Sequence, residues 1–266
     1  MSLGRFTLGR HQGFSLIEMM IALTVGAFLV LGVSQIYINN KRSFLFQQGQ
    51  TSNRNNAQLI FQVLDRQLAR TGFRADIRYQ GSLQAAFPKI NAAVVDPADG
   101  ISCPAFDAGV TVGATTDSVQ TPTGVCIRYQ GALDGKDLDC LGNVIPRVNL
   151  NTGGNVLIKL RYTASDIPGD GTLRCTVWSE RDGTLTPKGS EVLVQGLQDF
   201  RWSIPPKADA PAVRYAALLN TREVLPSDVA SNTATNWQTL TGLPVQDAGR
   251  PMQILQSTVT LRNLAL

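Results

Sequence analysis

His11 is the only histidine in the 266-residue chain. Everything after it must work without an imidazole, which removes Ser-His and Cys-His nucleophile pairs and His-containing metal sites from the body of the chain. The four cysteines, Cys103, Cys126, Cys140 and Cys175, form no C-x-x-C pair. An even, dispersed set of this kind predicts two disulfides in an oxidising compartment rather than a four-thiolate zinc site, and it leaves all three pairings open. Asp134, Asp137 and Asp139, and again Asp166 and Asp170, cluster as calcium ligands might, but neither group follows the ligand order of a calcium loop. They are expected to be solvated turns. No G-x-S-x-G, P-loop or dinucleotide glycine pattern is present, so no catalytic constellation and no cofactor are expected. An enzyme built on such a chain would depend on carboxylates, for instance as a glycosidase pair. Glu18 is the remaining chemical anomaly. It lies at the edge of an apolar run, between Phe14, Leu16 and Ile17 on one side and Met19, Met20 and Ile21 on the other. At mid-membrane an acidic residue costs roughly 2.5 to 3.5 kcal/mol, so an ionised Glu18 needs either a positive partner or a place among lipid headgroups.

The element that carries Glu18 is readable directly. Residues 19–38 hold no charge. As a helix they would cover about 30 Å, the thickness of a hydrocarbon layer. The alternative, a buried helix of a large soluble protein, does not explain why the run sits behind a short basic stretch near the amino terminus. No A-x-A-like cleavage pattern closes the run, so it is expected to be retained. Arg5 and Arg10 before it balance Lys41 and Arg42 after it, and flanking charge does not set the orientation. The cysteines do: all four follow the run, which argues for an oxidising compartment around the later part of the chain and puts the leader in the cytoplasm.

Beyond residue 40 the helical pattern continues, with Ala57, Ile60, Phe61, Leu64 and Leu68 inside one 100° arc and Gln58, Gln62, Asp65, Arg66 and Arg70 outside it. This stripe should pack on a sheet. Gly49 and the polar stretch 47–56 weaken the middle, and Gly72 offers a left-handed stop. From about residue 73 the text changes to short β-rich runs with Asp-Gly pairs starting at 99, 134, 170 and 182. Strands are predicted at 125–130, 156–162, 173–177, 191–197, 200–204, 213–219 and 257–263, with no helix between them, hence an antiparallel sheet. Residues 81–122 and 221–252 read as loops. Apolar residues make up 43% and charged residues 17% of the chain, and a net charge of +4 is too weak to imply nucleic acid as a partner. Arg66, Arg70, Arg74 and Arg78 recur every four residues, but Asp65 and Asp76 interrupt them, so a solvated helix end is expected rather than a DNA-binding stripe.

Arg10-His11-Gln12-Gly13-Phe14-Ser15-Leu16-Ile17-Glu18 resembles the leader junction of type IV prepilins and type II secretion pseudopilins. A short basic leader ending in Gly, then Phe, a hydroxyl residue, two aliphatics and Glu before an apolar helix is a multi-part pattern. The resemblance implies cleavage between Gly13 and Phe14 by a prepilin peptidase, N-methylation of Phe14, and an assembly role for Glu18, whose carboxylate would pair with the amino-terminal ammonium of a neighbouring subunit. It implies a pilin-like α+β fold: a 1–13 leader, a long helix over 14–72 that spans the inner membrane at 14–40 and is amphipathic over 41–72, and a β-rich periplasmic domain over 73–266. Losing residues 1–13 removes Arg5, Arg10 and His11 and leaves a net charge of +2.

Two features depart from major pilins: the last cysteine, Cys175, lies far from the carboxyl terminus, and the apolar stretch carries no proline. The junction Leu64-Asp65-Arg66-Gln67-Leu68-Ala69-Arg70-Thr71-Gly72-Phe73, the run Val194-Gln195-Gly196-Leu197-Gln198-Asp199-Phe200-Arg201-Trp202 and Val259-Thr260-Leu261-Arg262-Asn263 resemble PilW-type minor pilins. That resemblance implies a non-catalytic subunit that primes pilus assembly in a tip complex, with other minor pilins, the major pilin and a tip adhesin as partners. The alternative within the class is a large, GspJ-like pseudopilin. A DNA-capturing minor pilin and a membrane-anchored enzyme are the alternatives outside it.

Overall fold

The computed structural model describes residues 13, 15–75, 81–117, 122–145, 154–181, 184–204, 212–221, 232–245 and 250–264. By its contacts the chain divides into two compact units, Met1–Gln47 and Gln48–Leu266, with the boundary inside a single helix. That helix, α1 (Leu16–Ala69), runs through the polar stretch 47–56 without a break.

Within the second unit, Ala57, Ile60, Leu64 and Leu68 of α1 are buried as the helical stripe predicts. Phe61 is not: it is 41% exposed. The buried face instead follows Gly49, Asn53 and Gln67. Gln67 accepts a hydrogen bond from the Tyr129 hydroxyl at 3.2 Å, and the Asn53 amide donates to the Pro251 carbonyl at 3.2 Å. A Cβ on Gly49 would lie 2.7 Å from Thr221 Cγ2. The polar middle is therefore a close-approach face, where Gly49 meets the Thr221 side chain and the Asn53 and Asn56 amides donate to the Pro251 and Gln195 carbonyls, and helix propensity gives way to tertiary contact.

The helix ends as Gly72 predicts, at φ +73°. The Gly72 N–H donates to the Arg128 carbonyl at 2.9 Å, and the Asn263 amide donates to the carbonyls of Ala69 and Thr71. Gly72→Ala should cost about 1 to 2 kcal/mol from the left-handed backbone alone, and its Cβ would also sit 2.5 Å from Leu264 Cδ2. A lower denaturant midpoint of the detergent-solubilised protein would show it; an unchanged midpoint would contradict it.

The sheet is a seven-stranded meander in which each strand pairs antiparallel with the next: β3 (Val112–Ala114), β4 (Gly124–Gln130), β5 (Asn155–Thr163), β6 (Gly171–Arg181), β7 (Thr184–Ser203), β8 (Ala212–Asn220) and β9 (Met252–Thr260). The two runs expected at 191–197 and 200–204 are one strand, with a register shift between Leu197 and Asp199 where it passes β8. The last strand starts earlier than expected, and Arg262–Leu264 forms a 3-10 turn instead. The helix α3 (Thr233–Thr241) lies between β8 and β9, inside a segment read as loop; its Trp237 is buried, and the indole donates to Asp199 at 3.2 Å. The Asp182-Gly183 turn lies outside the described residues.

Both faces of the sheet centre are covered. Val125, Ile127, Val156, Ile158, Leu160, Leu173 and Val177 pack with α1. The opposite face carries Cys126, Leu157 and Trp178 against Cys103 and Phe106. Those last two belong to the segment read as loop, which holds the short helix α2 (Leu83–Ala86) and a two-stranded ribbon of β1 (Val94–Val95) and β2 (Ser102–Cys103). This second cover explains why β4 is buried at every position.

Two disulfides join Cys103 to Cys126, across the outer layer, and Cys140 to Cys175, from the loop 131–145 to the sheet. Each should contribute about 2 to 4 kcal/mol by constraining the unfolded chain. Unfolding with reductant should therefore occur at clearly lower denaturant, and four free thiols in the untreated protein would contradict both bridges.

Candidate functional site

The amino-terminal end of α1 brings together the residues with chemistry to perform. Gly13 is exposed, and nothing lies within 4 Å of where a Cβ would stand. Phe14 lies outside the described residues. Ser15 caps the helix. The Glu18 N–H donates to Ser15 Oγ at 3.2 Å and to the Ser15 carbonyl at 3.1 Å, while the Met19 N–H donates to the same carbonyl at 3.2 Å. Ser15-Leu16-Ile17-Glu18 thus has the spacing of a capping box, with the hydroxyl at the cap and an acid in the first turn, where the helix dipole favours negative charge. The sequence carried this signal, since a hydroxyl residue three positions before Glu at the start of an apolar run marks a helix start.

Glu18 therefore has two separable parts: its backbone N–H serves the cap, and its carboxylate is exposed and available to a partner. It is the only charged residue between positions 14 and 40. The surface that follows is apolar on every side, with Leu16 at 80%, Leu23 at 71% and Phe28 at 77% exposure. An 18-residue window of α1 reaches a mean hydropathy of 2.3 with none of it buried, and by length and composition the helix can cross a membrane. The Thr24 hydroxyl donates to the Ile21 carbonyl at 2.8 Å, so its proton is already bonded within the helix.

Arg70, Asp137 and Asp139 lie in the second unit and are engaged there, while Asp76 and Arg78 lie outside the described residues. Arg70, expected at a solvated helix end, pairs with Asp137 at 2.9 Å, donates to the Leu138 carbonyl at 2.6 Å and lies over the Tyr129 ring. Asp137 also accepts from the Ala132 N–H, and Asp139 accepts from the N–H groups of Leu141 and Asn143. Asp137 and Asp139, considered for calcium, are thus used in folding their own loop. Among the described residues no group of three His, Cys, Asp or Glu is placed to hold a metal ion. A groove of about 770 Å³ beside α3 is lined by Arg201, Arg214, Trp202, Tyr215 and hydroxyl side chains, with no carboxylate among the described residues. A smaller one of about 360 Å³ reaches Asp199, which already accepts from Arg201, the Trp237 indole and the Phe200 N–H. Neither offers a pair of carboxylates for acid and base work.

Residues 8–34 match the family described as the prokaryotic N-terminal methylation motif. No curated protein matches the chain. Among solved structures, the chain is similar to the type IV-like pilin TTHA1219 from Thermus thermophilus at 15% identity, over 80% of this chain and 98% of that one, with a TM-score of 0.44.

Proposed function

We propose that the chain is a minor pilin of a type IV pilus, of the PilW type, made as a precursor and used in priming assembly. The observation that carries this reading is the match of residues 8–34 to the methylation motif, a range that includes Gly13 and Glu18. A prepilin peptidase cuts after Gly13 on the cytoplasmic side and methylates Phe14. The helix then holds the subunit in the inner membrane, with the disulfide-bearing unit in the periplasm. Pairing of Glu18 with a neighbour's new amino terminus draws the subunit from lipid into the bundle. Two charges that are costly apart in a low-dielectric medium gain by meeting. The subunit then sits with other minor pilins, and with a tip adhesin where one is present, in a tip complex that primes the addition of major pilins. Its work is structural, without cofactor or catalysis, and nucleic acid is not its partner.

The intact mass of the membrane-purified protein tests leader removal and methylation together. It should correspond to a chain beginning at methylated Phe14. A chain that still begins at Met1 in cells making functional pili would overturn the reading. The minor-pilin role is tested by what co-purifies: minor and major pilins from sheared pili are expected, whereas secretion-system proteins would assign the chain to the pseudopilins instead.

A further inference from the structure

We propose that Lys159 and Asp96 condense to an intramolecular amide, a covalent strap tying the β1–β2 ribbon to the central strand β5, with Asp99 as the proton carrier. This inference is independent of the pilin reading. Lys159 Nζ lies 2.6 Å from Asp96 Oδ2 and 2.7 Å from Asp99 Oδ1. The Lys159 and Asp96 side chains are wholly buried, at 0% exposure each. Burial of a lysine and a carboxylate away from water is costly even when they pair, because each loses its hydration. Condensation removes both charges in one step.

The surroundings hold each reacting group in place. The Ala98 N–H donates to Asp96 Oδ1 at 2.8 Å, and the Thr176 hydroxyl donates to Asp96 Oδ2 at 2.6 Å, so both oxygens of the electrophile are polarised. Nζ is anchored by the Ile101 carbonyl at 3.0 Å. Asp99 presents one oxygen to Nζ and holds Arg161 with the other at 2.9 Å. Burial works to raise the Asp99 pKa, but its hydrogen bonds to Lys159 and the Ile101 amide and the charges of Lys159 and Arg161 outweigh that effect, keeping it below the usual carboxylate range. Asp99 is therefore ionised, and its Oδ1, in direct hydrogen-bond contact with Nζ, is placed to relay the proton.

The position on the sheet keeps the site dry. In the register of β5, Lys159 stands between Cys126 of β4 and Thr176 of β6. The same face carries Leu157 and Trp178, packed with Phe106 and the Cys103–Cys126 bridge. Cys103 pairs with Val94, two residues before Asp96, so the disulfide and the lysine grip the same ribbon. Nucleophile and electrophile held in this way react at effective concentrations of about 10⁵ M or more.

The step balances without an outside reagent. Asp99 takes a proton from the Lys159 ammonium and passes it to Asp96 Oδ2. The freed amine attacks Asp96 Cγ, forming the C–N bond. A second proton leaves nitrogen through Asp99 as the C–O bond breaks, and the departing oxygen leaves as water. An ammonium and a carboxylate become one neutral amide and one water, and Asp99 is regenerated.

The test is the mass and the proteolytic map of the full-length protein, purified from the membrane and reduced. The whole chain should be lighter than its processed sequence by one water in most molecules. Trypsin should fail to cut after Lys159, and the peptide carrying it should be joined to the one containing Asp96. Lys159→Arg and Asp99→Asn should each restore the full mass. A wild-type protein of full mass would overturn the proposal and leave an ion pair only. Loss of water that maps to a cyclic imide at Asp99-Gly100, with Lys159 cut normally, would overturn it as well. A crosslink that persists in Asp99→Asn would overturn the role given to Asp99. Leader removal and methylation fall on a different peptide, so failure of one assignment does not imitate failure of the other.

Discussion

A chain carrying Gly13→Ile should accumulate in the membrane at precursor mass, beginning at Met1 and without a methylated Phe14. Gly13 is exposed and an added Cβ would meet nothing within 4 Å, so the substitution does not disturb this protein's own packing. Surface changes of that kind alter stability by about 0.5 kcal/mol or less. The expected block is therefore one of recognition: a residue without a side chain lets the backbone approach the peptidase closely, and a branched side chain at that position displaces the scissile bond. Misplacement by about 1 Å can slow a reaction roughly a hundredfold. Intact mass of the membrane fraction reads the outcome, with the amount and denaturant midpoint of the protein as controls for folding. A normal mature mass in this variant would sink the cleavage assignment.

Where the sequence was legible, one physical signal dominated its surroundings. The apolar run, the helical stripe through Ile60, Leu64 and Leu68, the stop at Gly72 and the alternation of Val156, Ile158, Leu160 and Tyr162 each reflect a periodicity that burial on one face imposes. The misses share another cause. A charge in a strand ordinarily faces water, yet a ribbon from residues 94–103 covers the face of β5 that carries Lys159 and Arg161 and supplies Asp96 and Asp99. Only the pairing of segments some 60 residues apart reveals it. Phe61 and Asn53 exchange the places that polarity alone would give them, because α1 turns its Gly49 and Asn53 side toward Thr221 and Pro251. The three cysteine pairings could not be separated for the same reason: Cys126 meets Cys103 only once the outer layer is in place. At the amino-terminal junction the local pattern sufficed for the motif, and the Ser15 cap is equally local, a hydroxyl three positions before Glu18.

Glu18→Ala separates processing from assembly. The variant should be cut and methylated normally, because the junction through Gly13 is untouched, and it should insert at least as well, since mid-membrane acidic residues cost roughly 2.5 to 3.5 kcal/mol. Helix initiation should also survive: the hydrogen bond at the cap runs from the backbone N–H of residue 18 to Ser15 Oγ, and alanine keeps that N–H. Only the favourable placement of an acid near the helix dipole is lost, about 0.3 to 1 kcal/mol. What disappears is the partner for a neighbour's ammonium. In a helical register the four positions from 14 to 18 correspond to about 6 Å of rise, so the pair also fixes the axial offset between adjacent subunits. Removing one member of a desolvated ion pair leaves the other charge uncompensated and typically costs about 3 to 5 kcal/mol, which corresponds to a fall of about two to four orders of magnitude in the equilibrium for entering the bundle. Sheared pili from the variant should accordingly be depleted of the protein while the membrane fraction retains it at mature mass. Glu18→Asp, which keeps the charge on a shorter arm, should recover part of the incorporation, and a Glu18→Ala protein found in sheared pili at the normal level would show that the carboxylate does not drive assembly.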